Sequence, residues 1–512
     1  MALFDLWSDA NDDRGYLHIG HAKAALLNDY FAHEKYKGTL LLRFDDTNPS
    51  KEKEEFEDSI IEDLKLMGIK PDKSSHTSEY FDELLDYAIQ LIKAGKAYAD
   101  DTDQETMRDQ RMHGHASVRR DRLIEETLEV FNEMTKGSEI GVKNCLRAKM
   151  SVDNPNKAMR DPVIYRCNPV PHHRTGDKWK VYPTYDFCCP IVDSMEGVTH
   201  ALRTIEYRDR NPQYEWFLDA LNLRKVHIWD FARMNFVRTL LSKRKLAKFV
   251  EQGTVWGWDD PRFPTIRGIR RRGMTIPALR EFILKQGPSR NIVNLDWTNF
   301  WATNKKYIDP VAPRHTVINT PDAVPGVVRG TPANAYTEDK PKHGKNPDLG
   351  TKKVAYSESI IFDQADAASF AVNEEITLMN WGNAFVREIE HSPTDPERVQ
   401  KLTLDLNLAG DVKKTEKKVT WLSTKAQTLV PVTMVDFDFL ITKDKIEEDD
   451  NVEEFLTKQT EFKSEGLADE NVIALKAGDI IQFERKGWFR IDKGVKDGGL
   501  VAFEIPTGKK ER

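Results

Sequence analysis

From about Asp309 onward the hydrophobic period of this chain changes, which requires two kinds of architecture in one polypeptide. Before that point, apolar residues recur at helical spacing between short strand-like runs. Ile19 to Phe31 reads as an apolar helix and "TLLLRF" (39–44) as a strand. Phe56, Ile60, Ile61 and Leu64 mark a second helix, with Asn48 or Ser50 as a possible cap and Gly68 as its stop. Strands alternating with helices predict an α/β fold with a parallel sheet. After that point prolines become frequent and "TEDKPKHGKNPDLG" is loop-like. Runs such as "KVTWLSTKAQTLVPVTMVDFDFLITK" and "VIALKAGDIIQFERKGWFRID" then alternate with period two, predicting all-β barrels or sandwiches.

Residues 101–183 interrupt the α/β order. Short β-like pieces alternate there with "DNPN" and "NPVPHHRTGD", so the segment reads as an insertion. "VTHALRTIEY" (198–207) and "PQYEWFLDALNL" restore strand and helix, and residues 241–290 look helical. The expected layout is a first α/β half (1–100), the insertion (101–183), a second half (184–240), a cationic and helical connector (241–309) and β domains (310–512).

A chain of 512 residues accommodates several such domains. It has no run of about 18 apolar residues, the length a membrane span needs. The start, "MALFDLWSDANDD", lacks the basic and apolar regions of a secretory signal, so the cytosol is expected and no membrane partner. Cys145, Cys167, Cys188 and Cys189 form no CxxC pair and are expected to be thiols, with no structural metal. The net charge of −7 gives no overall attraction to polyanions, but its distribution is uneven. "RFPTIRGIRRR" (262–272) and "KRKLAK" (243–248) concentrate positive charge, and "KIEEDDNVEEF" (445–455) negative charge. Such runs are ordinarily solvated faces.

Two motifs carry chemistry. In "RGYLHIGHAKAALLNDYF", Gly15 permits close backbone approach and His18 and His21 fall in the first turn of a helix, where free N–H groups attract phosphate. Neither GxGxxG nor GxxxxGK[ST] is present, and an HxxH alone leaves structural and metal-binding roles open. "LLSKRKL" (240–246) reads either as a mobile cationic loop able to clamp a polyphosphate or as an exposed basic helix end.

Together, "YLHIGH" and "LLSKRKL" resemble the two ATP-binding signatures of class I aminoacyl-tRNA synthetases. "LLLRFDDTNPSKE", "YPTYDFCCPIVDSMEGVTHALRT", "GWDDPRFPTIRGIRRRGM" and "NKKYIDPVAP" are similar to the glutamyl and glutaminyl branch in its eukaryotic and archaeal cytosolic form, over nearly the whole chain after residue 15. The resemblance implies a Rossmann-like catalytic domain with an inserted tRNA acceptor-end-binding domain, a helical connector contacting the tRNA stem, and C-terminal all-β barrels that read the anticodon. It implies ATP-dependent activation of L-glutamate to glutamyl adenylate and transfer to the 2′-hydroxyl of the terminal adenosine of tRNA(Glu), releasing AMP and pyrophosphate. Glutamine–tRNA ligation and an inactive tRNA-binding scaffold are the alternatives.

By the same resemblance, His18, Gly20 and His21 meet the ATP phosphates, Met234 lies where backbone reads adenine, and Ser242, Lys243 and Arg244 close over pyrophosphate, Mg2+ accompanying the ATP. His18, His21 and Lys243 would be catalytic. Asp45 would hold the α-ammonium group, and Tyr185 and Cys189 would line the pocket. Arg203 occupies the position at which glutamate enzymes carry arginine, and a fixed guanidinium meets a carboxylate well. Competing structural readings are helix capping for Asp45 and Asp46, and pairing of Arg203 with Glu196 or Glu206. Arg262, Arg267, Arg270, Arg271 and Arg272 would contact tRNA phosphates.

One stretch departs from the pattern. Family members carry an Arg-Phe-Pro-Pro-Glu-Pro-Ser-like segment before the histidine motif, where "SDANDDR" (8–14) matches nothing, and the strand expected there is hard to find. Missing residues, an artificial junction and a truly inactive relative are the open explanations, the first preferred. "MHGHASVRR" (112–120) looks shortened in the same way. An amino-terminal domain for accessory-protein or multisynthetase assembly is absent, unless "MALFDLW" is its remnant.

Overall fold

The computed structural model describes residues 2–5, 16–50, 54–447 and 449–508, and the chain forms two compact units. The first comprises Met1–Asn235, Leu241–Phe249 and Ile283–Asn294. Its elements begin with β1 (Ala2–Asp5), α1 (Ile19–Asp29), β2 (Leu40–Phe44), α2 (Glu54–Leu66), β3 (Lys73–His76) and α3 (Phe81–Lys93). Next come β4 (Ala97–Asp100), α4 (Gln104–His113), α5 (Ile124–Lys136), α6 (Glu139–Val142), β5 (Cys145–Ala148), β6 (Val163–Cys167) and β7 (Val181–Pro183). α7 (Tyr185–Met195), β8 (His200–Thr204), α8 (Asn211–Ala220), β9 (His227–Phe231) and, after a short strand, α9 (Lys243–Glu251) follow.

The parallel sheet has the order β3-β2-β1-β8-β9, and every pair in it is parallel. Its central strand is the one the sequence concealed. Ala2–Asp5 pairs with Leu40–Arg43 on one side, and Ala2 and Leu3 pair with His200 and Ala201 on the other. Ala2–Asp5 is therefore the middle strand of the sheet, and the rest of "MALFDLW" lies outside the described residues. Four residues are too few to display a period, which is why the strand escaped notice. Ser8–Arg14 lies outside the described residues. The chain winds from β1 through β2 to β3 on one side and from β8 to β9 on the other. The order reverses between β1 and β8, and ligands of open parallel sheets gather at carboxyl ends beside such a reversal.

β4-β5-β6-β7 form a separate antiparallel sheet within the interruption. Ala97–Asp100 belongs to this sheet, so the interruption begins a few residues before the expected residue 101. Phe131, Met134, Leu146, Tyr165 and Tyr182 of the interruption share one core with Phe187 and Ile191 of α7 and Phe217 of α8. The interruption is thus anchored to the α/β layer by apolar burial.

The second unit comprises Phe236–Leu240, Val250–Phe282 and Leu295–Arg512. Phe236, Phe282, Trp297 and Phe300 pack together in its helical part, Phe236 stacked on Trp297 and Phe300 edge-on to both phenylalanines. The β-rich part forms two seven-stranded sheets. In one, Arg314–His315 and Val317–Thr320 are the two outermost strands; only Thr316 separates them in sequence, so the sheet curls round on itself. In the other, Lys418–Val419 and Leu422–Ser423 are outermost, with only Thr420 and Trp421 between them. Both are barrel-like, each with its own buried core of aliphatic and aromatic side chains.

Candidate active site

The start of α1 is built by its two histidines. His18 is the extended N-cap residue, and its Nδ1 accepts the Gly20 N–H at 3.1 Å. The Nδ1 of His21 accepts the His18 N–H at 3.2 Å, and the rings stack with centroids 3.8 Å apart. A Cβ on Gly20 would come within 2.9 Å of the His18 ring, so this close packing requires glycine. Upstream, the Leu17 N–H donates to Asp63 of α2 at 2.9 Å. Because each imidazole uses Nδ1 as an acceptor, its neutral form carries the proton on Nε2 and offers an N–H donor there. Burial first, then Lys243 and Arg233, hold His18 down at about 3. Burial, then His18 and the same two cations, hold His21 well below the ordinary histidine range. Two neutral donors and two cations therefore converge at a helix N-terminus, an arrangement suited to a polyphosphate.

Lys243 thus reaches the histidines from some two hundred residues away in sequence. It lies in the first turn of α9 rather than in a loop, because Leu246, Ala247 and Phe249 supply a buried face that holds a helix together. The Ser242 carbonyl accepts the Leu246 N–H at 3.0 Å, while the side chains of Ser242 and Arg244 are exposed. Lys23, buried on α1, donates to the Ala232 carbonyl at 2.7 Å beyond the end of β9. That bond fixes the chain two residues before Met234, which is itself buried.

A second group of residues collects at the carboxyl ends of β2, β3 and β8. Asp45 Oδ1 accepts the Thr77 hydroxyl at 2.5 Å and the Cys188 thiol at 3.3 Å. Asp46 Oδ1 accepts the Ser78 N–H at 2.8 Å. Neither carboxylate caps α2, which begins at Glu54. Cys188 is the thiol against Asp45. Cys189 instead lies by Arg43 and Asp193, each contact at 3.7 Å. Arg43, 1% exposed within β2, bonds Asp193 at 2.6 Å and Glu196 at 2.8 Å, and Tyr214 and Tyr80 complete those two carboxylates at 2.6 and 3.0 Å.

Arg203 stands near the end of β8, buried among three tyrosines. Its guanidinium lies 5.5, 5.1 and 5.7 Å from the ring centroids of Tyr185, Tyr207 and Tyr214, and it donates to the Tyr185 hydroxyl at 3.3 Å. The carboxylates considered as its partners are bonded by other arginines, Glu196 by Arg43 and Glu206 by Arg233 at 2.6 Å. Aromatic faces hold a cation without neutralising it, so the three tyrosine rings leave the guanidinium able to attract a carboxylate. Beside this end, α4, the 155–163 segment and the start of α8 enclose a cleft of about 980 Å³ whose charged lining mixes Arg108, Arg111, Lys157 and Arg210 with Asp186, Glu206 and Asp209.

The arginine cluster of the second unit divides. Arg262 makes a two-pronged bond to buried Asp260 at 2.9 and 2.7 Å and bonds Thr460 at 2.7 Å. Arg271 grips Asp492 at 2.7 and 2.9 Å, and Arg272 donates to the Phe437 carbonyl at 2.5 Å. These three expected phosphate contacts tie the unit together internally, while Arg267 and Arg270 lie half-buried on the helix Ile266–Arg271. Among the described residues, no group of three or more His, Cys, Asp and Glu is disposed to hold a metal, and no helix is long and apolar enough to cross a membrane.

Residues 10–310 match the catalytic domain of the class I tRNA synthetases (E and Q), a span that takes in most of the first unit and the helical start of the second. Residues 312–406 and 418–492 match two anticodon-binding domains of the same family. The chain belongs to this family. Among its E and Q relatives, a protein of Schizosaccharomyces pombe named probable cytoplasmic glutamate–tRNA ligase is 62% identical, over 97% of this chain and 69% of that protein. The cytoplasmic glutamate–tRNA ligase of Saccharomyces cerevisiae is 61% identical over the same shares. A bifunctional glutamate/proline–tRNA ligase of Mus musculus is 47% identical over 96% of this chain and 33% of its own length. For a class I E and Q synthetase, sequence reading overlooked Arg233, Cys188 and Thr77. Only Arg233 left a signal, as a lone cation in "FARMN" immediately before Met234.

Proposed function

We propose that this chain is a cytoplasmic glutamate–tRNA ligase, which activates L-glutamate with ATP and transfers it to the terminal adenosine of tRNA(Glu). The observation that carries the choice of amino acid is Arg203, a buried guanidinium held among three tyrosine rings near the carboxyl end of β8. A guanidinium pairs more strongly with the side-chain carboxylate of glutamate than with the neutral amide of glutamine, so glutamate is the better substrate. The names and high identities of the yeast relatives support the same choice and the cytoplasmic location.

The reaction proceeds by positioning and electrostatics. The α-carboxylate of glutamate attacks the α-phosphorus of ATP and pyrophosphate departs, leaving glutamyl adenylate. The Nε2–H donors of His18 and His21 hold phosphate oxygens, and Lys243 with Arg233 stabilises the charge that builds on pyrophosphate, Mg2+ entering with ATP as part of the substrate. Ser242 and Arg244 flank Lys243, Gly20 lets the histidines pack, and backbone near Met234 receives adenine. Asp45 takes the ammonium group, and Tyr185 and Arg203 take the side-chain carboxylate, with Cys189 in the layer beneath. The 2′-hydroxyl of tRNA then attacks the carbonyl carbon of the adenylate and AMP leaves. The cleft beside α8, where Arg108, Arg111 and Lys157 supply cations, receives the acceptor end, Arg267 and Arg270 meet the phosphates of the stem, and the two barrels read the anticodon. Assembly with accessory proteins or a second synthetase is a further proposal, supported by the bifunctional mouse relative.

ATP–pyrophosphate exchange with tRNA and glutamate present tests this reading. Glutamate-dependent exchange is expected, and none would be seen from a scaffold that only binds tRNA.

A further inference from the structure

Resting on that reading, we propose that His172 is a positioning residue for the amino-acid subsite, through which the insertion holds the turn that carries Asp45. The sequence "PHHRTGD" reads as a turn and has no role in the catalytic assignments above. In the structure, the chain doubles back between His172 and Gly176 through paired backbone bonds of 3.0 and 2.8 Å. The His172 side chain points into the catalytic layer and is wholly buried, with its ring edge-on to Phe81 and stacked against Tyr182.

Its two nitrogens do different work. Nδ1 accepts the N–H groups of Arg174 and Thr175 at 3.1 and 3.2 Å, closing the loop on itself. With Nδ1 an acceptor, the neutral ring carries its proton on Nε2, which donates to the Asp46 carbonyl at 2.7 Å. One face of the 45–50 turn is already fixed by Thr77 and Ser78. His172 fixes the other, helped by Asn168, which donates to Ser50 at 2.9 Å, and by Arg174, 3.7 Å from the Asp46 carboxylate. The same loop meets the flank of the subsite. Arg174 reaches His76 at 3.1 Å and Glu79 at 3.3 Å, and His173 reaches Glu57 at 3.2 Å. A carboxylate that must meet an ammonium group needs its backbone held to a fraction of an ångström, and here an inserted segment holds it.

The division of labour between the nitrogens makes the idea testable. His172→Asn keeps an acceptor where Nδ1 stood but is too short to reach Asp46. His172→Gln keeps a donor where Nε2 stood but leaves the loop N–H groups unmet. If His172 positions the subsite, the Asn variant raises KM for glutamate about tenfold with KM for ATP unchanged, and the Gln variant stays within about threefold of wild type. If His172 only closes its own loop, the order is reversed, and that overturns the proposal, as does an equal rise in both KM values. Arg174→Gln, at a side chain 37% exposed, tests the same tie away from the core. It raises KM for glutamate about threefold if the loop positions the turn, and an unchanged value counts against it. A wild-type chain that charges tRNA with neither amino acid overturns the functional reading and this one with it.

Discussion

Replacing Arg203 by alanine should abolish most use of glutamate while leaving the protein folded. The guanidinium is buried, donates to the Tyr185 hydroxyl and lies against three tyrosine rings at 5.1 to 5.7 Å. Each aromatic contact contributes about 0.5–1 kcal/mol, a loss partly offset because a buried charge no longer has to be desolvated. The net change in stability is therefore about 1 kcal/mol, within reach of a modest shift in melting temperature. Binding suffers far more. A substrate carboxylate left without its cation in a desolvated pocket costs about 3–4 kcal/mol, or about two to three orders of magnitude in kcat/KM. The assay is charging of purified tRNA with labelled glutamate across a concentration series, with ATP dependence measured in parallel. KM for ATP should hold steady, since the phosphates meet His18, His21 and Lys243. A kcat/KM for glutamate within about threefold of wild type would refute the assignment and make Arg203 a structural residue.

Three further outcomes are expected. His18 sits at about 3 when folded against 6.5 for the free side chain, so between those values the unfolded chain binds a proton that the folded chain refuses. Stability should fall as pH drops through that window, by up to about 1.4 kcal/mol per pH unit for this group; His18→Asn, which keeps an acceptor for the Gly20 N–H, should flatten the slope of denaturant midpoint against pH. Arg43→Met strands Asp193 and Glu196 in the interior and should cost about 3–5 kcal/mol in urea unfolding; a loss under about 1 kcal/mol would show that those carboxylates find other partners. In tRNA binding measured against salt, Arg267→Ala or Arg270→Ala should reduce the slope by about 0.7–1, whereas Arg262→Ala should lower stability and leave the slope alone because that guanidinium is committed to Asp260.

What the sequence made legible follows physical range. The change of period near Asp309, the helix after His18 and the buried strand Leu40–Phe44 are local patterns, and each appears where periodicity places it. The meeting of Lys243 with His18 and His21 is long-range and was legible only because two motifs together are specific where each alone is not. What escaped depended on partners remote in sequence. Arg43 looked like an ordinary charge in "LLLRF", although a single cation in an otherwise apolar strand signals a buried acid, here Asp193 and Glu196 one helical turn apart on the far side of the insertion. Cys188 and Cys189 are adjacent, and only the helix they share turns the first toward Asp45 and the second toward Arg43. The basic run 262–272 looked like an uninterrupted patch, yet Asp260, Asp492 and the Phe437 carbonyl engage three of its arginines.

The most direct test is parallel charging of purified tRNA by the wild-type chain, with labelled glutamate in one reaction and labelled glutamine in the other. Glutamate should accumulate on the tRNA in an ATP-dependent reaction, with glutamine disfavoured by orders of magnitude. Preferential charging with glutamine, or no charging with either, would contradict the assignment of Arg203 as the residue that selects the substrate.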